Sequence, residues 1–138
     1  MSFRVIRDIV SDTINATSGD DVVQQVTLTG AIATNPATTA DLTLTRIGDI
    51  VAVKIPDITK SSADATATLV LTALPAIYRP LADVVIPVSI TQNATRQIGI
   101  ATVASASGVI TISLATGGNF TSSQAVHLYP SSLVYIGA

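Results

Sequence analysis

One histidine, nine acidic residues (all aspartate) and scattered serines are what this 138-residue chain offers to acid–base, nucleophilic or metal chemistry. Cysteine is absent, which excludes disulfides and thiolate metal sites. His127 lies in Ala125-Val126-His127-Leu128-Tyr129, a strand-like context with no motif around it. General-base work needs a positioned partner, so His127 reads as a satisfied or exposed strand histidine. No Gly-x-Ser-x-Gly elbow activates a serine. The densest acidic group, Asp8, Asp12, Asp20 and Asp21, lacks the ligand spacing of a calcium loop. The other aspartates are scattered and suggest no carboxylate pair for glycoside hydrolysis. Gly117-Gly118 is followed by neither lysine nor a helix start, so it reads as a flexible turn rather than a phosphate loop. The expectation is a chain that is not an enzyme and needs no cofactor or metal.

Composition points to contact rather than chemistry. Charged residues make up 12% and hydrophobic ones 48%, against about 25% charge in an average soluble domain. Such a surface is expected to be partly hidden in an oligomer, because obligate interfaces resemble a domain core cut in half. The net charge of −2 comes with no basic cluster, which argues against nucleic acid as a partner. No apolar run approaches the ~18 residues of a membrane helix, so membrane insertion is not expected. The first residues lack the apolar core and cleavage site of a secretory signal. Three Asn-x-Thr triplets, at Asn15, Asn93 and Asn119, matter only in a secretory pathway and are read as incidental in so threonine-rich a sequence.

The elements that must hold these residues are strands. Residues 1–21 stand apart: Phe3, Ile6, Val10 and Thr13 follow a 3-4-3 spacing, which suits a short helix or neck as well as a partly ordered terminus. From residue 22 the pattern alternates with period two. Val26 and Leu28 alternate with threonines; Leu42 and Leu44 share a face; Ile47-Gly48-Asp49 signals a tight hairpin into strand 50–55. Lys60-Ser61-Ser62-Ala63-Asp64 reads as a polar loop before a strand at 66–72. Further strands follow at 84–91, 96–103, 109–114, 126–129 and 133–136, with Pro87 marking an edge or a bulge. About nine strands with turns every 8–12 residues predict a sandwich or barrel. Strands 50–55 and 84–90 are apolar on both faces, and a partner subunit is the simplest cover.

Four short stretches, in this order, resemble a known group. Leu44-Thr45-Arg46-Ile47-Gly48-Asp49-Ile50-Val51 resembles the hairpin of virus and phage fibre heads, and Leu74-Pro75-Ala76-Ile77-Tyr78-Arg79-Pro80 their Leu-Pro-x-x-Tyr-Arg-Pro connection. Ser107-Gly108-Val109-Ile110-Thr111-Ile112 is similar to their Gly-x-Ile-x-Ile strand, and 130–136 to their terminal strand. The resemblance implies an all-β jelly-roll sandwich of about 8–10 antiparallel strands, related to complement-type and tumour-necrosis-factor-like folds. It also implies an intimate homotrimer, with a head at 22–138 and a neck or linker at 1–21. The implied function is attachment, from the fibre or capsid surface of a virion, to a host surface receptor such as a glycan, with a fibre shaft or capsid as the other partner. Two other classes fit the same residues: a capsid or fibre-decoration protein without a receptor, and a secreted complement-type ligand domain. Under the attachment reading the contact loops are 92–96 and 116–124. There Gln92, Asn93, Arg96, Asn119 and Gln124 can hydrogen-bond sugar hydroxyls, and Phe120 is either an apolar contact or a core aromatic. Tyr78 and Arg79 are then structural, with Arg79 a candidate partner for an aspartate across an interface.

Overall fold

The computed structural model describes residues 23–32, 38–61, 68–121 and 124–138. The proposed neck at 1–21 and the acidic group within it lie outside them. Among the described residues ten strands run in chain order: β1 (Val23–Ile32), β2 (Thr38–Ile47), β3 (Ile50–Ile55), β4 (Ile58–Ser61), β5 (Thr68–Leu71), β6 (Val84–Gln92), β7 (Thr95–Val103), β8 (Ile110–Leu114), β9 (Ala125–Leu128) and β10 (Ser131–Ile136). They form two antiparallel sheets, ordered β1-β2-β3-β10 and β4-β9-β6-β7-β8-β5. One of them curls into a half-barrel, and the all-β sandwich expected from the alternation is the fold observed.

The core follows from that alternation. Leu42 and Leu44, then Val51, Val53 and Ile55, then Leu133 and Tyr135 point inward from the smaller sheet. They meet Leu69, Leu71, Ile90, Ala101, Val103, Ile110, Ile112 and Leu128 from the larger one. Each fully buried aliphatic side chain contributes about 1.5–3 kcal/mol of transfer free energy. One strand departs from the sequence reading: β4 (Ile58–Ser61) takes in Lys60 and Ser61, the first two residues of the expected 60–64 loop, whose remainder lies outside the described residues. It pairs with β9 through Ile58↔Leu128 and Thr59↔His127. With only Ile58 apolar, this edge strand carries no readable alternation. Pro87 lies in an inner strand, but β9 pairs with β6 only at 90–92. Its missing donor therefore faces an edge that β9 has already left.

The four family-like stretches converge around residues 74–80. The 3-10 turn Ala76–Tyr78 buries Tyr78. Arg46 Nε donates to the Gly48 carbonyl at 2.8 Å, and its Nη1 donates to the carbonyls of Ile77 at 2.6 Å and Ala138 at 3.1 Å. Arg79 Nε donates to the Leu74 carbonyl at 3.1 Å, and its Nη1 to Ala106 at 2.9 Å. Arg79 thus serves carbonyls of its own chain. Leu74 N–H donates to Gly108 O at 2.9 Å. The Tyr135 hydroxyl donates to Tyr78 O at 2.7 Å, and burial holds it well above the ordinary tyrosine range. Two arginines and a tyrosine so satisfy carbonyls that no strand can reach. Nearby, Ser105 donates through its backbone N–H (2.8 Å) and hydroxyl (2.7 Å) to Asp83 Oδ1, which holds that carboxyl below its usual range.

Candidate functional site

The β6–β7 hairpin closes on Asn93 and Ala94, with φ of 49° and 63°. Positive φ at both central residues is the two-residue turn that fits strand twist and favours Asn-Gly. Asn93 suits it; Ala94 bears the left-handed penalty of an L side chain. Ala94→Gly is therefore expected to stabilise the fold by about 1 kcal/mol, seen as a higher urea midpoint with an unchanged slope.

This turn meets the second predicted loop. Asn93 N–H donates to Ala125 O at 2.9 Å, and Gln92 Nε2 donates to Thr121 Oγ1 at 2.5 Å. The two loops chosen from sequence form one rim. Within it, the chosen residues separate. Asn93, Arg96 and Asn119 are exposed, and Gln124 is half-buried. Gln92 is buried, and its Oε1 meets no donor among the described residues; it tethers the rim rather than facing outward. Phe120 is wholly buried and belongs to the core. Of its two readings, the apolar contact surface is corrected, because a ring without exposed area has no face to offer a ligand.

From the rim, Arg96 leads onto the outer face of the larger sheet. Register places Arg96 opposite Thr91, Thr91 opposite His127, and Ser89 opposite Ile98. Tyr129 N–H reaches Ser89 O at 3.1 Å, which aligns the next row. Odd positions on β9 turn outward while Val126 and Leu128 fill the core, so the rings of His127 and Tyr129 share the outer face. Their centroids lie 4.1 Å apart at an interplanar angle of 32°. The Arg96 guanidinium carbon stands 4.8 Å over the Tyr129 ring, and Nη1 donates to Ser89 Oγ at 3.3 Å. At the other end His127 Nε2 donates to Asp57 Oδ1 at 2.5 Å. A cation, two rings and a carboxylate thus form a continuous ladder. Beside it lies a shallow cleft of about 430 Å³ lined by Pro87, Val88, Ser89, Arg96, Gln97 and Ile98.

Sequence reasoning placed Arg96 at the site and missed Ser89, Asp57 and Tyr129. The spacing of His127 and Tyr129, two apart on an alternating strand, was the available signal. Asp57 carried none, since it stands 70 residues from His127. In the ladder the Asp57 carboxylate and the His127 imidazole are engaged with each other.

With this geometry in hand, comparison with known proteins is informative about the fold. No family model matches the sequence, and no curated protein matches it. Among solved structures, the reovirus attachment protein sigma1, crystallised in complex with alpha-2,3-sialyllactose, is similar over 91% of this chain and 73% of that chain. The TM-score is 0.51 and the identity 18%. The chain has a viral fibre head-like β fold. At that identity the likeness is one of fold alone.

Proposed function

We propose that this chain is the head domain of a viral or phage fibre, of the tumour-necrosis-factor-like kind, which attaches a virion to a host surface receptor and works by binding rather than catalysis. The observation that carries the reading is the likeness of fold to a viral attachment protein over 91% of the chain. That neighbour's complex with a sialylated sugar supports a glycan as the class of receptor. A rigid sandwich that presents loops is suited to recognition. The test is binding of the purified chain to host cells before and after enzymatic removal of surface glycans. Saturable binding lost on deglycosylation is expected. No saturable binding to any host cell would favour a decoration role and overturn attachment.

The reading includes a homotrimer joined to a shaft or capsid, and a surface is available for assembly. Ile47, Ile50 and Ile136 stand directly opposite one another across β2, β3 and β10. Val134 follows on the same face, and Leu81 N–H bonds to Ile136 O. With Ile77, these side chains are 46% to 69% exposed. A contiguous apolar strip of this kind marks an interaction surface. Sedimentation is expected to give three times the monomer mass. Ile50→Lys, at the centre of the strip, is expected to give monomers of unchanged fold. A wild-type chain that stays monomeric at micromolar concentration would overturn the assembly.

A further inference from the structure

The arginines among the described residues divide by what they do. Arg46 and Arg79 spend their donors on backbone carbonyls. Arg96 is exposed and makes one long bond, to Ser89 Oγ at 3.3 Å. A guanidinium has five donors in a fixed fork, so most of the Arg96 fork faces outward. It is held there by the Tyr129 ring 4.8 Å below, itself braced by His127, which Asp57 fixes in turn. A side chain of this length loses appreciable rotamer freedom on binding, and stacking removes part of that loss in advance. The nearest carboxylate in the ladder, Asp57, is taken by His127.

We infer that Arg96, Ser89, Ile98 and Tyr129 form the receptor contact, and that its ligand is a sugar bearing a single carboxylate. This rests on the attachment reading above. The fork matches a carboxylate bidentately. Pro87 and Ile98, which line the adjoining cleft and are exposed, give an apolar surface for the C–H face of a pyranose. A neutral sugar in the same place leaves the shielded guanidinium without its partner. Polyanions are disfavoured, because the ladder presents one cation on a chain of net charge −2.

The test is an NMR titration of the isotope-labelled full chain with matched probes: glucuronic acid against glucose, and sialyllactose against lactose. The first pair exchanges a hydroxymethyl group for a carboxylate on one ring, and the second adds a whole carboxylate-bearing sugar residue. The acid of each pair is expected to bind about tenfold more tightly than its neutral partner, the size of one charge-assisted hydrogen bond. The shifts should centre on Arg96 Nε–H and the Tyr129 ring. Arg96→Gln should abolish the preference without moving the thermal midpoint, and Arg96→Lys should keep part of it. Equal binding of acid and neutral sugars, a preference that survives Arg96→Gln, or equal response to inorganic phosphate would each overturn the inference. Cell attachment without acid preference would overturn this site and leave the attachment reading standing. Acid preference at Arg96 without cell attachment would overturn the attachment reading and the receptor role of the site, and leave only its selectivity for a carboxylate.

Discussion

Gly108→Ala is expected to destabilise the fold by about 2–4 kcal/mol, whereas Gly117→Ala, at nearly the same backbone angle, should lose only about 1–2 kcal/mol. The pair is informative because φ is +74° at Gly108 and +78° at Gly117. Both alanines would bear the penalty of the left-handed region. Only at position 108 does a methyl group collide. Its Cβ would lie 2.7 Å from Leu74 O, 2.9 Å from Arg79 Nε and 3.0 Å from Leu74 N, whereas nothing lies within 4 Å at position 117. Two of those atoms are backbone and cannot swing aside. Relief requires Leu74 to leave Gly108 O, which also breaks the reach of Arg79 to Leu74 O. Urea unfolding of the two variants reads the difference directly. Equal midpoints would mean that residues 74–80 shift freely, contrary to their hydrogen-bonding.

Phe120→Ala is expected to lose about 3–5 kcal/mol, the range for emptying a fully buried aromatic site. Phe120 pins the middle of the long 115–124 connection, and the Gln92–Thr121 bond ties the neighbouring residue to the hairpin rim. Emptying its site should loosen both loops together. Asn119→Ala, one residue away and exposed, should change stability by less than about 0.5 kcal/mol. Calorimetry on the two variants separates a core role from a surface role. A Phe120→Ala protein of near wild-type stability would return the ring to the candidate contact surface.

The reason Phe120 stayed ambiguous in sequence is physical. It follows Gly117-Gly118-Asn119, a turn composition, and a single aromatic after a turn has no periodicity to say which way it points. The strands were legible where alternation was sustained: β7 and β8 lie within a residue of their expected bounds because Ile110, Ile112 and Leu114 alternate with polar residues. The hairpin at Gly48 was legible because glycine supplies the positive φ, 56°, that its turn needs. β4 was not, since Ile58 alone among four residues signals a core face. The ladder at Arg96 joins β6, β7, β9 and the residue before β4. Cross-strand neighbours depend on sheet order, which composition and spacing do not encode. The apolar outer faces were legible as an excess: strand 50–55 held more hydrophobic residues than one core can bury, and Ile50 is the surplus.

The pairing of β3 with β10 also bears on when the molecule can fold. Arg46 and Ala138, whose contact lies at the end of that ladder, are 92 residues apart. Contacts of such separation must close a long loop before they return any stability, which places folding among the slow β topologies, on the order of milliseconds to seconds. During synthesis, β2 and β3 can form their hairpin early, yet the free edge of β3 waits for 131–136 to emerge. Until then Tyr78 O lacks the Tyr135 hydroxyl, and the central connection stays unlocked. The row of Ile47, Ile50 and Ile136 likewise exists only once β10 has docked. Unfinished chains therefore cannot present the complete apolar row, and whatever binds that row can recognise only a chain whose last strand has docked.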